Sequence, residues 1–169
     1  MFPRPDVDVD TLRSVVFVAG GVGINPFMSM LSYMGERTKD FSGLKARLAY
    51  ASKMPSDGLD KMVFLDRITR LFGGEGRVKG SIDVFATDSS GEVPEDRRKV
   101  MNGTEIGLHR RRLSTADLKT LVDPGRYDLK STIVYICGPP TMTDELVATL
   151  TSKDGIGMDP KHVMTEKWW

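Results

Sequence analysis

Two short stretches carry residue types and spacings that could do chemistry. The first is Gly20-Gly21-Val22-Gly23-Ile24-Asn25-Pro26, at the exit of the apolar run Val15-Val16-Phe17-Val18-Ala19. Glycines permit φ > 0 and leave no side chain between backbone and ligand. Asn25 is a good N-cap, and Pro26 fits the first helical position, where its missing N–H costs nothing. A helix start behind such a turn offers unpaired N–H groups and a positive dipole end, which suit a phosphate. The spacing departs from G-x-G-x-x-G, because Pro26 stands where the third glycine belongs. The plain alternative is a glycine turn that holds no ligand.

The second stretch is Cys137-Gly138-Pro139-Pro140-Thr141-Met142, at the exit of the apolar run from Thr132. It repeats the pattern of buried strand, glycine turn and proline at a helix start. Two such turns in one small sheet are expected to line one crevice. Cys137 sits where a strand side chain would point toward a bound ring. The alternative reading of Cys137 is a small buried hydrophobe.

The elements that must position these turns follow from periodicity. Strands are expected at 14–19, 44–50, 81–87, 132–137 and 162–168. Leu44-Lys45-Ala46-Arg47-Leu48-Ala49-Tyr50 alternates, as a strand does. Helices are expected at 26–36, at 59–72 with Met62, Leu65, Ile68 and Phe72 inward, from the Ser114 cap through Val122, and at 140–151 with Asp144 and Glu145 in the first turn. Residues 88–112 read as a long polar loop with basic clusters at Arg97-Arg98-Lys99 and Arg110-Arg111-Arg112. Strands alternating with helices give right-handed crossovers, a parallel sheet and helices on both faces. In such sheets ligands lie beyond the carboxyl ends of the strands, at the switch point in strand order.

Composition narrows the class. The chain has 169 residues, the span of one domain, with residues 1–12 read as a linker and 13–169 as the domain. Lys and Arg number 24 against 23 Asp and Glu, which gives no bulk electrostatic case for nucleic acid or anionic lipid. A single cysteine excludes an intrachain disulfide and a Cys-rich metal cluster, and no metal site is expected. No apolar run approaches the ~20 residues of a membrane-spanning helix. The N-terminus shows no signal or transit pattern.

With both turns and the chain end Glu166-Lys167-Trp168-Trp169 considered, the sequence resembles the NAD(P)-binding half of the ferredoxin–NADP reductase superfamily. That family carries G-G-x-G-[IV]-x-P after its first strand and C-G-P-P-x-M after its fourth. The resemblance implies a three-layer α/β fold with a parallel five-stranded sheet in the order 3-2-1-4-5. It implies a nicotinamide dinucleotide beside a flavin held by a preceding β-barrel. The backbone of Gly20, Gly21, Val22, Gly23 and Ile24 would cradle the pyrophosphate, with Asn25 and Pro26 starting the helix beneath it. Cys137 and Gly138 would lie under the nicotinamide, and Pro139, Pro140 and Met142 complete that turn. Arg112 matches the arginine of the family's G-R-[IL]-[ST], although Arg111 replaces the glycine. Ser52 falls among the nucleotide contacts. Asp88, after the third strand, would repel a 2′-phosphate and accept a ribose hydroxyl, which favours NAD(H) over NADP(H). Lys53 argues the other way. Matching the terminal glutamate puts Trp168 on the flavin ring and makes Glu166 a candidate proton relay, with Lys167 solvated. Cys137, Glu166 and Trp168 are thus the candidate catalytic residues.

The flavin motif R-x-Y-[ST] does not occur in the sequence, so FAD is expected from a missing or separate domain. The expectation is the nucleotide-binding half of an NAD(P)H-dependent flavoprotein reductase, mitochondrial by resemblance, with an unknown electron acceptor. The alternatives are a non-catalytic nucleotide-sensing or interaction domain and a purely structural α/β domain.

Overall fold

The computed structural model describes residues 9–73, 78–87 and 97–167. Seven strands form one sheet: β1 (Ser14–Gly20), β2 (Lys45–Lys53), β3 (Gly80–Thr87), β4 (Arg97–Met101), β5 (Thr104–His109), β6 (Thr132–Gly138) and β7 (Val163–Lys167). Their order is β4-β5-β3-β2-β1-β6-β7. All neighbours pair in parallel except β4 with β5.

The expected five-stranded sheet is therefore corrected to a mixed seven-stranded one. The five strands read from the sequence do stand as β3-β2-β1-β6-β7, which is the order 3-2-1-4-5 among themselves. The added pair, β4 and β5, comes from the stretch read as a loop. Its turn is Asn102-Gly103, with φ of 49° and 76°. Positive φ at both central residues is what a tight hairpin requires, and Asn-Gly is the dipeptide that supplies it. Thr104 then anchors β5, since its buried Oγ1 donates to the Thr69 carbonyl at 2.7 Å.

Alternation along β1 divides the core. Val15, Phe17 and Ala19 face α1 (Asn25–Glu36) and α2 (Leu65–Phe72), where Phe27, Leu31, Leu65 and Ile68 are fully buried. Val16 and Val18 face α3 (Thr115–Leu121) and α4 (Pro140–Thr151), with Leu118, Leu146 and Leu150. A strand buried on both faces carries an unbroken apolar run because it has no solvent side. The result is three layers with helices on both faces.

Local expectations are corrected at four places. The helix expected over 59–72 is a 3-10 turn at Leu59–Lys61 followed by α2, because Met62 is extended and Phe64 sits at φ 60°. Asn25 is not a cap: it is already helical, and α1 continues a 3-10 turn over Gly21–Ile24. Asp144 lies past the first turn of α4, which holds no acid. His162 ends a 3-10 turn ahead of β7, buried, and its Nδ1 donates to the Thr132 carbonyl at 2.9 Å. The Ser114 cap stands as expected, in a capping box with Asp117. No described helix is long and apolar enough to cross a membrane.

Candidate functional site

The parallel strands all end on one edge, and the chain's path across the sheet reverses there between β1 and β6. From β1 the chain runs outward to β2 and β3. It then returns to the other side of β1 as β6. Ala19 pairs with Cys137 in register, so Gly20 and Gly138 leave the sheet side by side. The two glycine turns thus meet at the switch point, where ligands of open α/β sheets bind.

The glycines divide by purpose. A Cβ on Gly23 would overlap the Cys137 carbonyl, so the first turn passes directly over the end of β6. A Cβ on Gly138 would lie 3.2 Å from the Gly20 backbone and would collide with the Met142 methyl, and one on Gly20 would come within 2.8 Å of that methyl and of Pro139. Gly23 is therefore demanded by packing against main chain and Gly20 is crowded by the Pro139 ring, while half-buried Met142 covers Gly20 and Gly138 with a methyl that can shift. Gly21 is different. Its φ is +55°, and a Cβ there would meet nothing within 4 Å. Val22 beside it is 65% exposed. The open backbone lies at Gly21 and Val22, and it leads without a break into α1 through the 3-10 turn. The first N–H groups of such a run have no acceptor within the helix.

Cys137 is fully buried in the α1-side core and occupies the last side-chain position before the second turn. Across β7 it is in register with Glu166. The Glu166 carboxylate accepts a 2.6 Å hydrogen bond from the Tyr135 hydroxyl. Burial, reinforced by Glu166, raises the Tyr135 phenol above its ordinary range, so it stays a donor. Glu166 is itself exposed. Lys167 is not simply solvated, because its Nζ pairs with Asp144 at 2.6 Å and ties β7 to α4.

Ser52 lies near the end of β2, half-buried, and hydrogen-bonds Tyr50, whose phenol burial pushes up. Lys53 is exposed in the next position. Arg112 is exposed. The arginine that the fold fixes is its neighbour. Arg111 makes a two-pronged contact with Asp117 at 2.6 and 2.8 Å and lies 5.4 Å from the Phe85 ring centre. Burial acts to raise the Asp117 carboxyl, but hydrogen bonds from Arg111 and Ser114 outweigh it and hold the group at about 2. Sequence reasoning passed over this contact, although the capping-box spacing of Ser114 and Asp117 signalled a fixed carboxylate within reach of Arg111. It also passed over His109, which stacks on Phe85 at 4.5 Å and pairs with Asp83 at 3.0 Å. Asp88, Trp168 and Trp169 lie outside the described residues. No metal-binding cluster occurs among the described residues.

No protein-family model matches the chain. It is 30% identical over 174 residues to Oxidoreductase NAD-binding domain-containing protein 1 of Bos taurus, covering 99% of this chain and 48% of that protein. The protein of the same name from Homo sapiens is 27% identical over 182 residues. The reductase component of propane 2-monooxygenase from Mycolicibacterium smegmatis is 31% identical over 149 residues, 86% of this chain and 36% of that protein. Among solved structures, the cytochrome b5 reductase domain of Ulva prolifera nitrate reductase matches with a TM-score of 0.53. The identity is 17%, over 92% of this chain and 49% of that one. That match shows a shared fold. The chain spans about half the length of the curated relatives it matches first.

Proposed function

The chain belongs to the ferredoxin–NADP reductase superfamily, and on that premise we propose that it binds a nicotinamide dinucleotide for hydride exchange with a flavin. The observation that carries this reading is the meeting of two glycine turns at the switch point, with open backbone at Gly21 and Val22. The residues present fit a diphosphate. A left-handed glycine exposes consecutive amides, and the run from Gly21 into α1 adds the positive end of a helix. A nicotinamide supplies the hydride chemistry when bound, and the protein contributes binding, orientation and exclusion of water.

Each residue then has a task. Gly21, Val22 and Ile24 hold the diphosphate through their amides. Gly20, Gly23, Gly138 and Met142 keep the two turns in contact so that this backbone is rigid. Pro139 and Pro140 start α4 at the second turn. Cys137 closes the sheet beneath the proposed ring site. Tyr135 fixes the Glu166 carboxylate next to it, which makes Tyr135 a positioning residue. Trp168 would stack at the flavin, and Ser52, Asp88 and Arg112 would meet the adenosine end. We assign NAD(H) over NADP(H) on the Asp88 carboxylate. The flavin would be supplied by a separate domain.

Titrating NADH and NADPH into the full chain, followed by the fluorescence of Trp168 and Trp169, tests the reading. Saturable binding with NADH preferred supports it, and no saturation at millimolar concentrations of either overturns it. Adding FAD or FMN with an artificial electron acceptor then separates the two classes. Turnover assigns a reductase half, whereas binding without turnover assigns a nucleotide-sensing domain.

A further inference from the structure

The edge of the sheet opposite the glycine turns holds a cavity of about 810 Å³ where β1, β2, β3 and β6 begin. Its lining includes Arg13, Lys45, Arg47, Lys79 and Arg126. One carboxylate lines it, Asp128, whose Oδ1 accepts from the Lys130 amide.

Arg47 gives this cavity its chemistry. The alternation of β2 puts it on the α3 and α4 face, in register with buried Val16, and only 6% of the residue is exposed. Its guanidinium donates to the Leu121 carbonyl and, at 2.5 Å, to Ser14 Oγ. It lies 3.5 Å from the centre of the Tyr127 ring. The Arg47 Nε is buried with no hydrogen-bond partner. Burial pushes the group below its ordinary range, and Tyr127 opposes that shift. No carboxylate is paired with Arg47 among the described residues. A cation taken out of water without a counter-charge is costly, and an unmet donor adds to the cost. An anion in the cavity supplies the missing counter-charge, although the buried Nε itself stays out of its reach.

The surrounding charges point the same way. Lys45 and Lys79 are exposed at the lining. Arg13 gives Nη1 to the carbonyls of Asp10 and Leu12 at 2.7 and 2.9 Å, which spends no charge. Arg126 is shared with Asp123 at 3.6 Å. The volume falls within the range of small-molecule sites, about 300–1,000 Å³. A guanidinium at the lining flanked by two exposed ammonium groups matches the charge of phosphate oxygens.

We propose that this amino-edge cavity is a second anion site that takes a phosphate-bearing small molecule, separate from the glycine turns. Inorganic pyrophosphate is the probe, titrated into the full chain at fixed ionic strength and followed by backbone amide chemical shifts. Saturable shifts are expected at Ser14, Arg47, Ser81 and Thr132. The double variant Lys45→Ala, Lys79→Ala touches no buried side chain and therefore folds. It raises the apparent Kd about tenfold, as expected when two nearby cations are lost. The same experiment reports on Gly21 to Ile24, so failure of the nucleotide reading is seen separately. The proposal is overturned by shifts confined to Gly20–Pro26, by no saturation at millimolar pyrophosphate, or by an unchanged response in the double variant.

Discussion

The two edges of this sheet are built by opposite means. The carboxyl edge is made of backbone: glycine turns pressed together, with amides rather than side-chain charges toward the opening. Several described charges near it are engaged, with Arg111 on Asp117, Asp83 on the His109 ring and Lys167 on Asp144, while Lys53 and Arg112 are exposed. The amino edge is made of side chains, with Arg47 buried at the lining and carrying no counter-charge. At Gly23 the backbone edge tolerates no side chain, because a Cβ there meets main chain that cannot move away. A side-chain site can lose single charges and keep its shape.

Gly23→Ala tests the first half of that contrast and carries the largest effect. Its methyl would overlap the Cys137 carbonyl, and no rotamer relieves a backbone clash. A loss of about 3 kcal/mol is expected, at the upper end for overpacking. Urea unfolding measures it. A loss below 1 kcal/mol (about the low end of that range) would show that the turns are not in firm contact.

Gly21→Ala is the paired control. Nothing stands near its Cβ, so the cost is the left-handed φ alone, about 1–2 kcal/mol. The protein stays folded. NADH affinity nevertheless falls, by about tenfold for each 1.4 kcal/mol of lost contact, because a methyl stands over the amides assigned to the diphosphate. Unchanged affinity in this variant moves the diphosphate away from Gly21.

These two glycines also show what could be read from the sequence. Both turns were legible because each is contiguous and its glycines and prolines act through local backbone geometry. Strands β1 and β6 were legible for a similar reason, since apolar runs buried on both faces stand out, and β2 showed itself by alternation. The hairpin of β4 and β5 was passed over because charged Arg97, Arg98 and Lys99 mask its strand period, although Asn102-Gly103 marks the turn. The amino-edge cavity was illegible in principle. Arg13, Lys45, Arg47, Lys79 and Arg126 lie on separate segments, and only the strand order brings them together. Nothing in the alternation of β2 tells that Arg47 is covered by α3 and Tyr127. Which glycine serves packing and which faces open space also depends on tertiary contact.

Arg47→Met probes the amino edge. The substitution leaves the Leu121 carbonyl without its donor but removes a desolvated charge. The two effects oppose, and a net loss of about 1 kcal/mol is expected, smaller than for Gly23→Ala. Thermal unfolding in the presence and absence of pyrophosphate checks it. The midpoint rise given by pyrophosphate in the parent chain is expected to vanish in the variant. A loss exceeding that of Gly23→Ala would reverse the contrast and make Arg47 a structural tie first.

The smallest effect belongs to the neutralised charges of the carboxyl edge. Asp117 is held at about 2 in the folded chain, below its ordinary 3.8. A carboxyl depressed on folding contributes stability above its unfolded value and loses it as pH falls through the folded one. The contribution is thus complete above about pH 4 and fades toward pH 2. The Arg111 side chain is 34% exposed, which weakens the pair through solvent screening. Asn at 117 still accepts from Ser114, so Asp117→Asn costs only about 0.5 kcal/mol at neutral pH. Urea unfolding of both chains between pH 2 and pH 7 is the measurement, with the two stability curves expected to converge as pH falls toward about 2. Curves that stay parallel into acid would mean that the Arg111 charge is not satisfied by Asp117. The carboxyl edge would then owe its fixed Arg111 to packing on Phe85 rather than to the ion pair.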